Sequence, residues 1–363
     1  MEERRSRPVR VLIVDDSAFI RRAIERMLSG ASEFEVVGTA TNGREAVEMV
    51  RELRPDVALL DINMPEMDGL EALRRIMREA PTPVLLISTL AKPGAEVTLR
   101  GLELGAVDFI DKGSVGTVMD IYDLAPVLRE KVLAVASADP LRRPPPPEVS
   151  DGTPSAPATE VPPMLRPCRF DVIAIGASTG GPRALSEILP QLPGNLGAGV
   201  VVAQHMPAGF TETLAERLNR RCALQVAEAS DGDLVEPGRI LIAPGRRQTT
   251  VERVPERGLV VRVSRDAEQS LHQPSADLLF ASVARAVGSR AMGIILTGMG
   301  DDGAQGLQRL QEAGGRTLVE SAETAVIYGM PRAARAYAEQ VLPLERIAPA
   351  VVELCTSQEK RES

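Results

Sequence analysis

Three acidic residues and a lysine fall where short apolar runs end in the first third of the chain. Asp15-Asp16 follows Val11-Leu12-Ile13-Val14, Asp61 follows the run at 57–60, and Lys112 comes just after Phe109-Ile110. Carboxylates and an ammonium gathered at strand ends can hold Mg²⁺ and a transferable phosphoryl group, because Mg²⁺ takes a few carboxylates together with carbonyl and water oxygens. In that arrangement Asp16 and Asp61 ligate the ion directly, Asp15 through water, and Asn63 through its main-chain carbonyl. Asp61 is then the nucleophile toward a phosphoryl donor. Lys112 and the metal balance the phosphoryl charge, and Ser88 is expected to hydrogen-bond a phosphate oxygen after transfer. An Asp-Asp pair alone more often caps a helix. Five residues in one register argue against that reading.

A second constellation lies far along the chain. Gly176-Ala177-Ser178-Thr179-Gly180-Gly181 follows an apolar run and precedes an amphipathic one. Small residues allow a tight turn that lifts Ser178 out of a sheet, and the following helix start offers N–H groups to an oxyanion. The pattern fits G-x-S-x-G, and a glycine-rich phosphate loop fits it equally well. His205, one of two histidines, ends the run from Val200. Asp301-Asp302 follows Ile294-Ile295-Leu296 in another glycine-rich turn. A lone histidine is usually a surface or core residue, and an Asp in such a turn usually a cap. Serine, histidine and aspartate at three strand ends together favour a hydrolytic triad. Gln204-His205 stands where a dinucleotide fold would carry a ribose-binding acid, and the order Ser, His, Asp is not that of the α/β-hydrolases.

The elements that must position these groups are legible as alternation. Apolar runs at 11–14, 35–40, 57–60, 84–88 and 108–110 alternate with amphipathic stretches near 18–28, 43–53, 69–78, 96–104 and 123–135. Five such βα repeats predict a doubly wound parallel sheet covered on both faces. Residues 137–168 carry a run of prolines at 144–147, and Pro154, Pro157, Pro162, Pro163 and Pro167 lie among small polar residues, the composition of an extended linker. From Asp171 the alternation resumes. Strands are predicted at 172–175, 200–203, 226–229, 240–243, 259–263, 292–296 and 317–319. Helices are predicted at 182–189, 211–220, 276–287, 304–313 and 348–354. The run at 248–254 is expected to pair with 259–263 as a hairpin.

Composition bounds the remaining choices. With 363 residues, two domains each have room for a core. A net charge of −8, no long basic stretch and 2% aromatic residues argue against nucleic-acid binding. No apolar run is long enough for a membrane span. Met1-Glu2-Glu3-Arg4-Arg5 lacks a signal core, so a cytoplasmic protein is expected. Cys168, Cys222 and Cys355 are odd in number and distant in sequence, which predicts isolated reduced thiols.

The first segment resembles the receiver domain of bacterial response regulators. The resemblance rests on Val14-Asp15-Asp16-Ser17, Leu60-Asp61-Ile62-Asn63-Met64-Pro65-Glu66-Met67-Asp68-Gly69, Ser88-Thr89 and Asp108-Phe109-Ile110-Asp111-Lys112. It implies a flavodoxin-like receiver at 8–136, phosphorylation at Asp61 by a CheA-type histidine kinase, Mg²⁺ on Asp15, Asp16, Asp61 and Asn63, and Phe109 at the aromatic switch position. Gly113 departs from the proline that receivers usually carry after the lysine. The second segment resembles the chemotaxis protein-glutamate methylesterase (CheB) family. Here the matching stretches are Gly176-Ala177-Ser178-Thr179-Gly180-Gly181, Gln204-His205-Met206-Pro207, Ile242-Ala243-Pro244-Gly245, His272-Gln273-Pro274-Ser275-Ala276-Asp277, Leu296-Thr297-Gly298-Met299-Gly300-Asp301-Asp302-Gly303 and Tyr328-Gly329-Met330-Pro331.

That resemblance implies a Rossmann-like methylesterase domain at 169–357, joined to the receiver by the Pro-rich linker 137–168. Its implied triad is Ser178 as nucleophile, His205 as base and Asp302, rather than Asp301, as orienting acid, with the Met299 N–H as oxyanion donor and no cofactor for the esterase step. The implied reactions are ester hydrolysis and glutamine deamidation on chemoreceptor cytoplasmic helices, controlled by phosphorylation. His272 is expected to be structural or near the substrate, and Arg246-Arg247 either solvated or in contact with an acidic receptor helix.

Overall fold

The structure, a computed structural model, describes residues 7–88, 92–112, 124–138, 168–265 and 270–356. Two compact units divide the chain, residues 1–149 and 150–363. The expected linker, but for residues 137, 138 and 168, lies outside the described residues, as does Gly113.

The first unit runs β1 (Val9–Val14), α1 (Ala18–Ser29), β2 (Phe34–Ala40), α2 (Gly43–Leu53), β3 (Val57–Asp61), α3 (Gly69–Glu79), β4 (Val84–Ser88), α4 (Lys92–Glu103), β5 (Asp108–Asp111) and α5 (Ala125–Ala136). Its sheet has the order β2-β1-β3-β4-β5, and every pair is parallel. Every residue of β3 and β4 is buried, as strands covered on both faces must be. Helix α1 packs beside α5, and α2 beside α3. Local chemistry sets the helix starts. Ser17, Asn42 and Asp68 each accept a backbone N–H three residues on.

The second unit runs β6 (Val172–Ala177), α6 (Gly181–Ile188), β7 (Gly199–Gln204), α7 (Phe210–Asn219), β8 (Gln225–Glu228), β9 (Arg239–Ile242), β10 (Gln248–Val254), β11 (Gly258–Ser264), α8 (Ala276–Val287), β12 (Ala291–Ile295), α9 (Ala304–Glu312), β13 (Arg316–Glu320), α10 (Met330–Ala334), β14 (Gln340–Leu342) and α11 (Leu344–Thr356). Seven strands form one sheet in the order β14-β13-β12-β6-β7-β9-β8, again all parallel. The expected hairpin is present as the antiparallel β10–β11 pair, with Val251 opposite Val261. Helix α8 packs on that hairpin, on β6 and on α9, and its Phe280 is fully buried.

Both sheets are therefore the predicted doubly wound kind. Four details differ from the sequence reading. Helix α4 starts at Lys92 rather than near 96. The short β14 and α10 carry no periodic signal and were not predicted. Helix α11 starts at Leu344 rather than 348 and runs through Pro349. All three cysteines are free thiols, as expected, but Cys168 and Cys355 are neighbours rather than isolated, with Arg169 N donating to the Cys355 carbonyl at 3.3 Å, because the fold returns α11 to the start of the unit. Among the described residues no helix is long and apolar enough to cross a membrane.

Candidate active and phosphoacceptor sites

In the first unit the strand order reverses between β1 and β3, so a crevice opens at their carboxyl ends. Asp15 follows β1 and Asp61 ends β3. Asp15, Asp16 and Asp61 each bring a carboxylate oxygen within 4.8 Å of the others. Asp15 and Asp61 are buried and Asp16 is exposed. The Lys112 ammonium lies 2.5 Å from Asp15 Oδ2 and 2.9 Å from Asp61 Oδ2. Burial pushes the Asp61 carboxyl above the usual carboxylate range; Lys112 pulls against that shift and Asp15 adds to it. Three carboxylates against one ammonium leave an excess of negative charge that a divalent cation would balance, so the donor set fits Mg²⁺.

The Asn63 N–H faces the Asp61 carboxylate and draws its pKa down, and the neighbouring Ile62 N–H donates to Asp61 Oδ1 at 2.8 Å. Ser88 is buried at the end of β4, and its Oγ accepts a 2.6 Å hydrogen bond from Thr98. Phe109 is buried, with Lys131 Nζ 5.8 Å from its ring centroid. The loop after Asp61 turns back on itself, and a Cβ on Gly69 would sit 2.1 Å from the Asp61 carbonyl oxygen. Only glycine fits there without moving the acceptor loop.

In the second unit β6 is flanked by β12 on one side and β7 on the other. The chain fills one side of the sheet after β6 and the other side after β11, which again makes a crevice beside the carboxyl end of β6. Ser178 follows β6, His205 follows β7, and Asp302 lies in the turn after β12. The His205 Nε2–H donates to Asp302 Oδ2 at 2.7 Å. Asp302 is 5% exposed. It accepts three further hydrogen bonds, from Ser275 Oγ at 2.8 Å, Ala276 N at 2.7 Å and Asp277 N at 3.1 Å. The last two donors are the first N–H groups of α8, so the carboxylate also sits at a positive helix end. Burial pushes the Asp302 carboxyl upward, but the His205 bond and charge and the α8 N–H groups outweigh it and hold the value at about 2. Asp301 is exposed.

An ionised Asp302 bound to Nε2 fixes the proton of neutral His205 on that nitrogen and leaves Nδ1 as the free base. Ser178 is half-exposed, and no hydrogen bond joins it to the imidazole. The two residues are tied through their backbones instead. The Gln204 amide donates to the Ser178 carbonyl at 2.9 Å and to the His205 carbonyl at 3.0 Å. His205 N also donates to the Ala177 carbonyl at 2.9 Å. The His272 ring stacks on His205 with centroids 4.4 Å apart and planes 9° from parallel.

The turn bearing Met299 closes over the serine. Ser178 N donates to Thr297 O at 3.0 Å, and Thr297 N donates to the buried Glu320 at 2.8 Å. The Met299 N–H has no hydrogen-bond partner among the described residues, as an oxyanion donor requires. Sequence reasoning missed the roles of Gln204, Glu320 and the Ser275 hydroxyl. Ser275 carried a signal in its helix-cap position before α8; Gln204 and Glu320 sit inside apolar strand ends and carried none. Arg246 is exposed, with a left-handed φ of 59° and its N–H donating to Gln273 O, while Arg247 is half-buried.

Comparison with known proteins matches each unit to a family. Residues 11–119 match the response regulator receiver domain, and residues 173–351 match the CheB methylesterase. A protein-glutamate methylesterase/protein-glutamine glutaminase of Pseudomonas aeruginosa is 45% identical over 95% of this chain and 97% of its own length. The chain belongs to the CheB methylesterase family. A second member, from Oleidesulfovibrio alaskensis, carries the same description and is 42% identical over 95% of this chain and 98% of its own. The crystal structure of the Thermotoga maritima CheB methylesterase catalytic domain is 38% identical, covers 51% of this chain and 98% of that one, and superposes with a TM-score of 0.49.

Proposed function

We propose that this CheB-family chain is a phosphorylation-controlled protein-glutamate methylesterase and protein-glutamine glutaminase acting on chemoreceptors. A receiver at 8–136, a linker at 137–168 and a catalytic domain at 169–357 divide the labour. The observation that carries the esterase reading is the 2.7 Å bond between His205 Nε2 and Asp302. It leaves Nδ1 to take the Ser178 proton as Oγ attacks the γ-carbonyl of a receptor side chain. The oxyanion is received by the Met299 N–H. The His205 imidazolium, stabilised by Asp302, returns its proton to the leaving methanol or ammonia. Water then enters, His205 removes its proton, and glutamate is released from the acyl-enzyme. Asp301 and His272 take no proton in this sequence.

In the receiver, Asp61 accepts the phosphoryl group from a histidine kinase. Asp15, Asp16 and Asp61, with the Asn63 carbonyl, would hold Mg²⁺, which supplies positive charge against the phosphoryl oxygens. Lys112 binds one of those oxygens in exchange for its carboxylate partners, Ser88 donates to another, and Phe109 repacks as Ser88 moves. Arg246 and Arg247 lie beside the catalytic loops and suit an acidic receptor helix. Substrates that are cytoplasmic receptor helices imply a cytoplasmic enzyme.

The test is methanol release from methylated receptor. Ser178→Ala should reduce it by about 10⁴-fold or more with the fold intact. A phosphodonor such as acetyl phosphate should accelerate the wild type and leave Asp61→Asn at its basal rate. Equal rates for phosphodonor-treated wild type and Asp61→Asn would refute control through Asp61. Undiminished release by Ser178→Ala would refute the nucleophile.

A further inference from the structure

Cys168 stands four residues before β6 and Cys355 in the last turn of α11. Arg169 N, one residue from Cys168, donates to the Cys355 carbonyl at 3.3 Å, and the two thiols lie close enough to perturb each other. Cys168 is half-buried and Cys355 buried. Both lie at the amino edge of the sheet, where Asp171 N bonds Arg290 O just ahead of β12. Ser178 follows the opposite end of β6, so this pair is no part of the esterase site. It sits where the linker enters the catalytic unit and where that unit's last helix ends.

We propose that Cys168 and Cys355 form a reversible disulfide, made by a peroxide and undone by a dithiol, that staples the entry of the catalytic unit to its final helix. Cys168 is the attacking thiol. The Cys355 hydrogen bond holds it below the usual thiol range against the upward push of burial; the Phe170 N–H and the Arg290 charge help, and Asp171 opposes. The same hydrogen bond and burial push Cys355 upward. The Cys168 thiolate attacks one peroxide oxygen; the O–O bond breaks, hydroxide leaves, and the sulfur becomes a sulfenic acid. Cys355 sulfur then attacks Cys168 sulfur, the S–O bond breaks, and the Cys355 proton leaves with the hydroxide as water. Two thiols and one hydrogen peroxide thus give one disulfide and two waters. A dithiol returns two electrons and two protons. The Arg169–Cys355 backbone bond sets the two cysteines side by side, and the end of α11 is a place where a helix can give.

Cys222 provides an internal comparison, since burial pushes its thiol up to about 11 with only Arg221 opposing. The reduced full-length chain would be treated with hydrogen peroxide, digested without reductant and mapped by mass spectrometry. The expected product is one cross-linked peptide pair, Cys168 to Cys355, lost on adding dithiothreitol, with Cys168 reacting at least about tenfold faster than Cys222. Cys355→Ser should stop Cys168 at the sulfenic acid, captured by dimedone, and Cys168→Ser should leave Cys355 reduced. Absence of the cross-link in the wild type, or Cys222 oxidising as fast as Cys168, overturns the proposal. Dimedone labelling of Cys355 in Cys168→Ser at the wild-type Cys168 rate would overturn the assignment of the attacking thiol. The wild-type measurement stands even where a variant folds poorly.

Discussion

Asp302 has a donor for each of its lone-pair directions, and three of the four come from one helix start, Ser275, Ala276 and Asp277. The helix therefore holds the carboxylate, and the carboxylate in turn holds the imidazole. Its value of about 2 against an ordinary 3.8 means the folded chain takes up this proton at lower pH than the unfolded chain does. The stabilisation is thus fully present above 3.8 and is lost as the pH falls through about 2. The pH profile of kcat/KM should accordingly show no inflection from Asp302 above about pH 3. Asp302→Asn keeps the shape but abolishes the charge and frees the ring to take the other tautomer, so kcat should fall by about 10⁴-fold. His272 stacks on a face of the same ring, whereas Asp302 bonds its edge. Its parallel stack confines His205 without using a ring nitrogen, so His272→Ala should lower kcat by about tenfold while the Asp302 bond survives. A loss as large as that of Ser178→Ala would instead make His272 a chemical participant.

The catalytic loops are short turns between buried strands and helices, and their glycines are where the backbone must come close. A Cβ on Gly298 would sit 2.3 Å from Met330 Sδ and 2.8 Å from Ser178 Cβ. Gly298→Ala must therefore push aside the Met330 side chain and shift the turn that carries Ser178. Ester hydrolysis should fall by about 10²-fold, with a stability loss of about 1–3 kcal/mol from overpacking, read by methanol release and thermal unfolding. The same scale shows where sequence reading works. Strands β3, β4, β6 and β7 are buried at every residue, so each is a continuous apolar run bounded by turn residues. Strand β14 has three residues, none of them buried, and α10 has five. Neither is long enough to show a period. Pro349 hid the first turn of α11, because a proline usually marks a helix start rather than an interior.

Each unit has its own parallel sheet and its own buried core, with Phe170, Phe210 and Phe280 fully buried in the second. A segment comprising residues 169–357 should thus fold by itself and hydrolyse receptor esters. Acetyl phosphate should leave its rate unchanged, whereas the same treatment should accelerate the full chain. A methanol-release assay on the segment, with and without the phosphodonor, decides this. A response in the isolated segment would mean that control does not pass through the receiver.

The chain's local patterns carried the two doubly wound sheets, the hairpin and the residues at the strand ends, because burial on both faces and turn chemistry are written in contiguous residues. Asp15, Asp61, Lys112, Ser178, His205 and Asp302 were legible for the same reason: each follows or ends an apolar run. What only the tertiary structure decided depends on strand order and on contacts between distant segments. It gave Nε2 rather than Nδ1 to the Asp302 carboxylate. It also stacked His272 on His205, recruited Gln204 and Glu320 to hold the turns, and brought Cys168 to Cys355. No periodicity records such pairings, since they arise when the sheet closes and sets side by side residues that the chain keeps far apart.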